Sequence, residues 1–212
     1  MSTKAQRQPG DFQSLPVIDI GGLFSAEAAE RKAVAERLGD AARNVGFFHI
    51  VGHGIGEELR LRLLSQARRF FEQPHEDKMQ HYIGLSAGHG TTRHRGYVPQ
   101  GEEMPEKGKR DLKEAFDLAF ELPADDPDVL AGTPMMGPNV WPELPGFREQ
   151  VYAYYQATYE VGCALMRGFA LALGLPEEHF LEDVTKPPSQ LRLIHYPFDP
   201  DARDAQGIGA HT

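Results

Sequence analysis

Apolar residues recur along this chain with two periods. Residues 15–23, LPVIDIGGL, are a short β-rich run closed by two glycines, which predicts a strand and a turn. From Glu27 to Val45 the apolar residues Val34, Leu38, Ala41 and Val45 fall at helical spacing, with Ser25 as the N-cap. Residues 46–54, GFFHIVGHG, read as a buried strand between glycines. A second helix follows with Leu59, Leu63, Ala67 and Phe70 on one face, and Pro74 stops it. Residues 81–110 show no period and read as one long loop, a feature that is usually functional inside a compact domain. Residues 115–122, AFDLAFEL, alternate as a strand with Phe116, Leu118 and Phe120 on one face. The longest helix runs from Phe147 to Leu173 and is closed by Gly174 and Pro176. Residues 190–196, QLRLIHY, are a strand, followed by a hairpin loop and the start of a partner strand at residues 208–212. Helices dominate the first 180 residues, and strands cluster only near the end.

Composition narrows the class. The chain has 212 residues, 41% of them hydrophobic and 25% charged, as in a globular protein of one domain or a large part of one. Its formal net charge of -9 argues against a nucleic-acid or anionic-membrane partner, since both select basic surfaces. Cys163 is the single cysteine, so no internal disulfide can form and a reducing compartment is expected. The first residues have no apolar core of a secretory signal, and no apolar stretch approaches the roughly 18 residues of a membrane span. The expected location is cytoplasmic.

Several motifs invite chemistry and mostly decline it. Gly52, Gly54 and Gly56 imitate a dinucleotide fingerprint, but Glu57 stands where the third glycine belongs, and with Glu58 it would put two negative charges where a pyrophosphate binds. His49 and His53 are four apart but span a strand and a glycine turn, so their rings need not converge on a metal. Cys163 reads as a core thiol. Arg192 is more informative. Alternation puts Arg192, Ile194 and Tyr196 on one face of their strand and Leu191, Leu193 and His195 on the other. If the arginine face is inward, it needs an anion, and a ligand carboxylate would serve; a solvent-facing arginine on an edge strand is the alternative. His211, in GIGAHT at residues 207–212, gains meaning from its setting at the start of a strand. An aspartate two residues further on, with a second distant histidine, would make the facial triad of non-haem Fe(II) oxygenases.

Taken together, the blocks LPVIDIGGL (15–23), NVGFFHIVGHGI (44–55), FFEQPHEDK (70–78), RGYVPQGEE (95–103), DLKEAFDL (111–118), NVWP (139–142), LRLIHYP (191–197) and GIGAHT (207–212) resemble, in order, the Fe(II)/2-oxoglutarate-dependent dioxygenases of the isopenicillin N synthase-like branch. The resemblance implies an α+β fold, in which an N-terminal helical and strand extension packs on a double-stranded β-helix (jelly-roll) core with only its first strands present here. Residues 1–125 would be the N-terminal region, 126–185 a connection with the long helix, and 186–212 the start of the jelly roll. His211 matches the first histidine of the family's His-x-Asp motif, so the chain is expected to stop one residue short of the aspartate. Arg192 and Tyr196 match positions that line the co-substrate or substrate pocket, and Arg95 and Tyr97 fall in a block that reaches substrate in relatives. Ile194 stands where many plant relatives carry an asparagine. The implied activity is oxidation of a small-molecule substrate with O2, Fe(II) and 2-oxoglutarate, giving succinate and CO2. An ethylene-forming or oxidase member of the same family is an alternative. A truncated, metal-free, inactive fragment is the alternative of another kind, and the 212-residue chain alone is expected to be inactive. No nucleic acid or membrane is expected as partner, and the oligomeric state is left open.

Overall fold

A computed structural model describes residues 14–86, 94–102, 112–182 and 184–198. The described residues up to Ile55, with Ala157–Thr185, form one compact unit; Gly56–Gln156 and the described residues from Lys186 onward form a second. Both mix helix and strand, an α+β arrangement.

In the first unit, β1 (Val17–Asp19) pairs in parallel with β2 (His49–Val51), Val17 opposite His49 and Asp19 opposite Val51. Between them in sequence lies α1 (Ala28–Asn44). Ile18, Ile20, Leu23, Val34, Leu38 and Ala41 pack with Val161 and Ala164 of the long helix α5 (Phe147–Ala172). This is the burial that the i, i+3, i+4 spacing of α1 predicts. Two local expectations are corrected. Glu27, not Ser25, is the N-cap of α1, and Ser25 Oγ accepts the Glu27 N–H at 3.1 Å, one step before the helix begins. The strand expected to be buried at 46–54 is β2, whose Val51 is 45% exposed because a two-stranded sheet covers only one of its faces.

The glycines after β2 are explained by Asp19. Its carboxylate accepts the Gly21 N–H at 2.9 Å, and a Cβ on Gly52 would lie 2.0 Å from the same carboxylate oxygen at a φ of +68°. Close approach of backbone to an aspartate accounts for the glycine, with no phosphate needed. His53 Nδ1 accepts the Ile55 N–H at 3.1 Å, so this histidine closes a turn.

The second unit holds α2 (Glu57–Phe71), α3 (His75–Met79), β3 (Gly96–Val98), β4 (Glu114–Ala119), α4 (Pro127–Leu130), the first residues of α5, and β5 (Gln190–His195). The strands form one antiparallel sheet in the order β3-β4-β5. Leu63, Phe70, Phe116, Leu118, Phe147, Val151 and Leu193 are its core. Phe70 meets Phe116 edge-on with ring centroids 4.8 Å apart, and Phe116 meets Phe147 likewise at 5.4 Å. Such tilted pairs add to the value of the buried area. The loop expected over residues 81–110 therefore contains a strand. β3 is three residues long, too short for alternation to show, and it exists because Tyr97 is seated opposite Phe116.

Gly96 makes that strand possible. Its φ is +117°, and a Cβ there would lie 2.4 Å from the His81 carbonyl oxygen, which also accepts the Tyr97 N–H at 2.7 Å. Gly96→Ala is expected to lower stability by roughly 2–4 kcal/mol, from a strained φ and a displaced buried hydrogen bond. Urea unfolding of the two proteins measures it, and equal midpoints would show that the backbone relaxes around the methyl group.

Candidate functional site

The ladder between β4 and β5 decides where the expected site residues point. Ala115 lies opposite Ile194, Phe116 opposite Leu193 and Leu118 opposite Leu191. Leu193 is buried in the aromatic core, whereas Ile194 and Tyr196 are each about half-exposed. The face of β5 bearing Arg192, Ile194 and Tyr196 is thus the outer one in this structure. Phe198, in the same register two residues beyond Tyr196, is 92% exposed. The Tyr196 hydroxyl has no hydrogen-bond partner among the described residues.

Arg192 has its anion from within the protein. Its Nε and Nη2 donate to the two carboxylate oxygens of Asp117, each at 2.7 Å, in the two-pronged geometry that suits guanidinium and carboxylate. Asp117 is 1% exposed. All six residues of β4 are buried, those on the face away from Phe116 and Leu118 included. The second face is covered in part by Arg192 over Asp117 and by Asn139 at Ala119. The charge on Arg192 is matched, so what it can offer a ligand is a directed hydrogen bond and not net positive charge.

On the opposite face of β4 lies a polar cluster that sequence reasoning missed. Glu114, buried, accepts from Lys78 Nζ at 2.7 Å and from the Tyr97 hydroxyl at 2.5 Å through Oε2. His195 Nδ1 lies 2.8 Å from Oε1; because a carboxylate only accepts, Nδ1 carries the hydrogen. Lys78 also donates to the Phe71 carbonyl at 3.1 Å, at the C-terminus of α2, where a cation is favourable. The Phe71 ring stacks on His195 with centroids 5.3 Å apart. Burial pulls the Glu114 carboxyl upward, but the hydrogen bonds from His195, Lys78 and Tyr97 outweigh it and hold it below its ordinary range. Burial, then the bond to Glu114, pushes the Tyr97 phenol well above its ordinary value. The available signal was an acid beside an apolar run: in KEAFDLA the charged residues sit in a stretch otherwise fit for a buried strand.

Arg95 and Tyr97, expected at the substrate, are turned into the fold, each 1% exposed. Arg95 donates to Asn139 Oδ1 at 3.0 Å, to the Met135 carbonyl at 2.8 Å and to the Phe120 carbonyl at 2.9 Å. Asn139, from the NVWP block, in turn pairs with both backbone groups of Ala119. Its Oδ1 accepts the N–H at 2.9 Å and its Nδ2 donates to the carbonyl at 2.8 Å. These side chains spend their polar groups on the architecture around β4, and either would have to break such bonds to reach a ligand.

His211 and the expected strand at 208–212 lie outside the described residues. Among the described residues, no three His, Cys, Asp or Glu side chains come together in a way that could hold a metal ion, and no helix is long and apolar enough to cross a membrane. A cavity of about 350 Å³ in the first unit, lined by Pro16, Val17, Ile18, Arg37, Asp40 and Ala41 among others, contains none of the expected site residues. Cys163 is half-buried in α5.

Residues 15–144 match the family described as non-haem dioxygenase in morphine synthesis N-terminal. The 2-oxoglutarate-Fe(II) type oxidoreductase hxnY of Emericella nidulans is 33% identical over 206 residues, covering 93% of this chain and 57% of that protein. Isopenicillin N synthase of Streptomyces griseus is 32% identical over 192 residues, covering 87% of this chain and 55% of the other. A 2OG-Fe(II) oxygenase family protein from Caulobacter crescentus, known from its crystal structure, shares the fold with a TM-score of 0.73 at 28% identity, over 88% of this chain and 57% of that one. The chain thus spans little more than half the length of the curated relatives it matches.

Proposed function

Because the chain belongs to the Fe(II)- and 2-oxoglutarate-dependent dioxygenase superfamily, we propose that the complete protein oxidises a small organic substrate with O2, converting 2-oxoglutarate to succinate and CO2. The match over residues 15–144 carries this reading. In it, residues 186–212, with β5, begin a double-stranded β-helix, and residues 1–125 and 126–185 are the N-terminal region and the connection with the long helix. His211 would be one ligand of the iron. Bound iron would supply activation of O2 next to the co-substrate.

The chain's own residues would orient and shield. Tyr196 would donate its hydroxyl to a carboxylate oxygen of 2-oxoglutarate, and Arg192 would add a hydrogen bond while remaining clasped by Asp117. Ile194 and Phe198, exposed in this structure, would line the same face with apolar surface for a bound co-substrate to cover. Tyr97 would act indirectly, through its bond to Glu114, and Arg95 by holding Asn139. The single cysteine supports a reducing, cytoplasmic setting.

The test is succinate formation by the complete protein, with iron, O2 and 2-oxoglutarate each withheld in turn. Turnover is expected to need all three, and His211→Ala to abolish it while leaving the melting temperature of the metal-free protein unchanged. Full activity in His211→Ala would overturn the iron-site assignment. Turnover without 2-oxoglutarate would point to the oxidase alternative.

A further inference from the structure

The two acids of β4 stand directly across from Arg192 and His195 of β5. In the ladder, Glu114 is the Cα partner of His195, and Asp117 is the Cα partner of Arg192. Glu114 and Asp117 are three apart, so the two pairs lie on opposite faces of the same two strands. Each acid is buried, and each bonds its own partner at 2.7–2.8 Å. We propose that these two pairs are a register key, which sets the step at which β5 docks on β4 and so makes Glu114 and Asp117 positioning residues for the Arg192–Tyr196 face. The functional meaning of that face rests on the reading above; the register itself does not.

The hydrophobic pattern alone cannot do this. A shift of β5 by one residue would turn Leu191 and Leu193 out of the core, and burial forbids it. A shift by two keeps both leucines on the inner face, and apolar packing tolerates it far better. The acids do not tolerate it. Shifted by two in one direction, Asp117 would face Ile194 and Glu114 would face Pro197. Shifted in the other, Asp117 would face Gln190 and Glu114 would face Leu193. In neither does Asp117 meet a cation or Glu114 an imidazole N–H across the ladder; Glu114 keeps Lys78 and Tyr97, but Asp117 is left a buried unpaired charge, which is costly. Apolar residues thus choose the face, and the charged pairs choose the step. One wrong step would carry Tyr196 along the strand by two residues, about 7 Å.

The register can be read by disulfide trapping in the complete protein with its free cysteines, Cys163 among them, replaced by Ser. The pair Ala119→Cys with Gln190→Cys reports the native step, and Ala115→Cys with Tyr196→Cys reports a two-residue shift that brings Asp117 opposite position 194. The parent should form the first cross-link and not the second. Exchanging the key, by Arg192→Ile with Ile194→Arg in a Glu114→Gln background, should make the shifted cross-link the main product. That gain is something a merely structural contribution would not produce. Persistence of the native cross-link as the main product would overturn the proposal. If the exchanged protein does not fold, Asp117→Asn with Glu114→Gln decides. Its ratio of native to shifted cross-link should fall about ten-fold or more, and an unchanged ratio would overturn the proposal. A parent in native register with no succinate formation by the complete protein would sink the functional reading and leave the key standing.

Discussion

Glu114→Ala is expected to be the most damaging single substitution in the second unit, at about 3–5 kcal/mol. The carboxylate serves three donors at once: Lys78, Tyr97 and His195. Without it, the Lys78 ammonium stays buried with the Phe71 carbonyl in place of an anion, and the Tyr97 hydroxyl loses its acceptor. Removing one partner of a buried ion pair costs far more than replacing both. Glu114→Gln with Lys78→Met should therefore recover most of the loss. Urea unfolding of the wild type, Glu114→Ala and the double variant gives the comparison. A loss below about 1 kcal/mol in Glu114→Ala would mean that water replaces the carboxylate. The same group sets an acid dependence. Its folded-state pKa lies below the ordinary 4.5, so its stabilisation is fully present above that value and is lost as pH falls through the folded pKa. The gap between wild type and Glu114→Gln should accordingly narrow below pH 4.5.

Arg192→Met should cost a similar amount, about 3–5 kcal/mol, because it strands the buried Asp117 carboxylate. The reverse change should be milder. Asp117→Asn leaves an arginine whose side chain is 35% exposed, which water can solvate, so the expected loss is about 1–2 kcal/mol. This inequality is the signature of a pair with one buried and one half-exposed partner, and thermal or urea unfolding of both variants reads it. Equal losses would show that the arginine is as hard to solvate as the acid. The double variant Arg192→Met with Asp117→Asn should lie closer to wild type than Arg192→Met alone. In the complete protein the KM for 2-oxoglutarate should be compared between Arg192→Met and this double variant. A rise common to both belongs to the lost contact, and a rise only in the single variant belongs to the stranded acid.

What could be read from the sequence follows from how local its causes are. α5 was legible because 26 residues of apolar stripe end at Gly174, whose φ of +73° is what such a helix end asks for. The parity of β5 was legible because alternation is a property of one strand. Which face of β5 would be covered, and by what, was not. The anion that Arg192 needs stands 75 residues earlier in the chain, and nothing in QLRLIHY points to it. β3 was hidden for the same reason, since three residues become a strand only through a partner. Lys78 is one of several charges in HEDKM of α3, and its burial depends on Glu114, which packing brings to it. Ser25 had the chemistry of a helix cap but sat two residues early. The matching family explains the order of the blocks between residues 15 and 144; the acids of β4 explain what holds several of them together.

The Asn139 amide at the end of β4 has a consequence for exchange with solvent. One carboxamide offers a donor and an acceptor spaced like those of a peptide group, and here it takes up both backbone groups of Ala119. The last residue of a strand is usually where deuterium enters first, since its amide opens without the rest of the sheet. Ala119 has no such private opening. Its N–H is released only when the Asn139 side chain withdraws, and that side chain is itself held by Arg95. The exchange clock at this strand end is therefore set by the loop carrying Asn139, and β4 is sealed at a place where most strands leak.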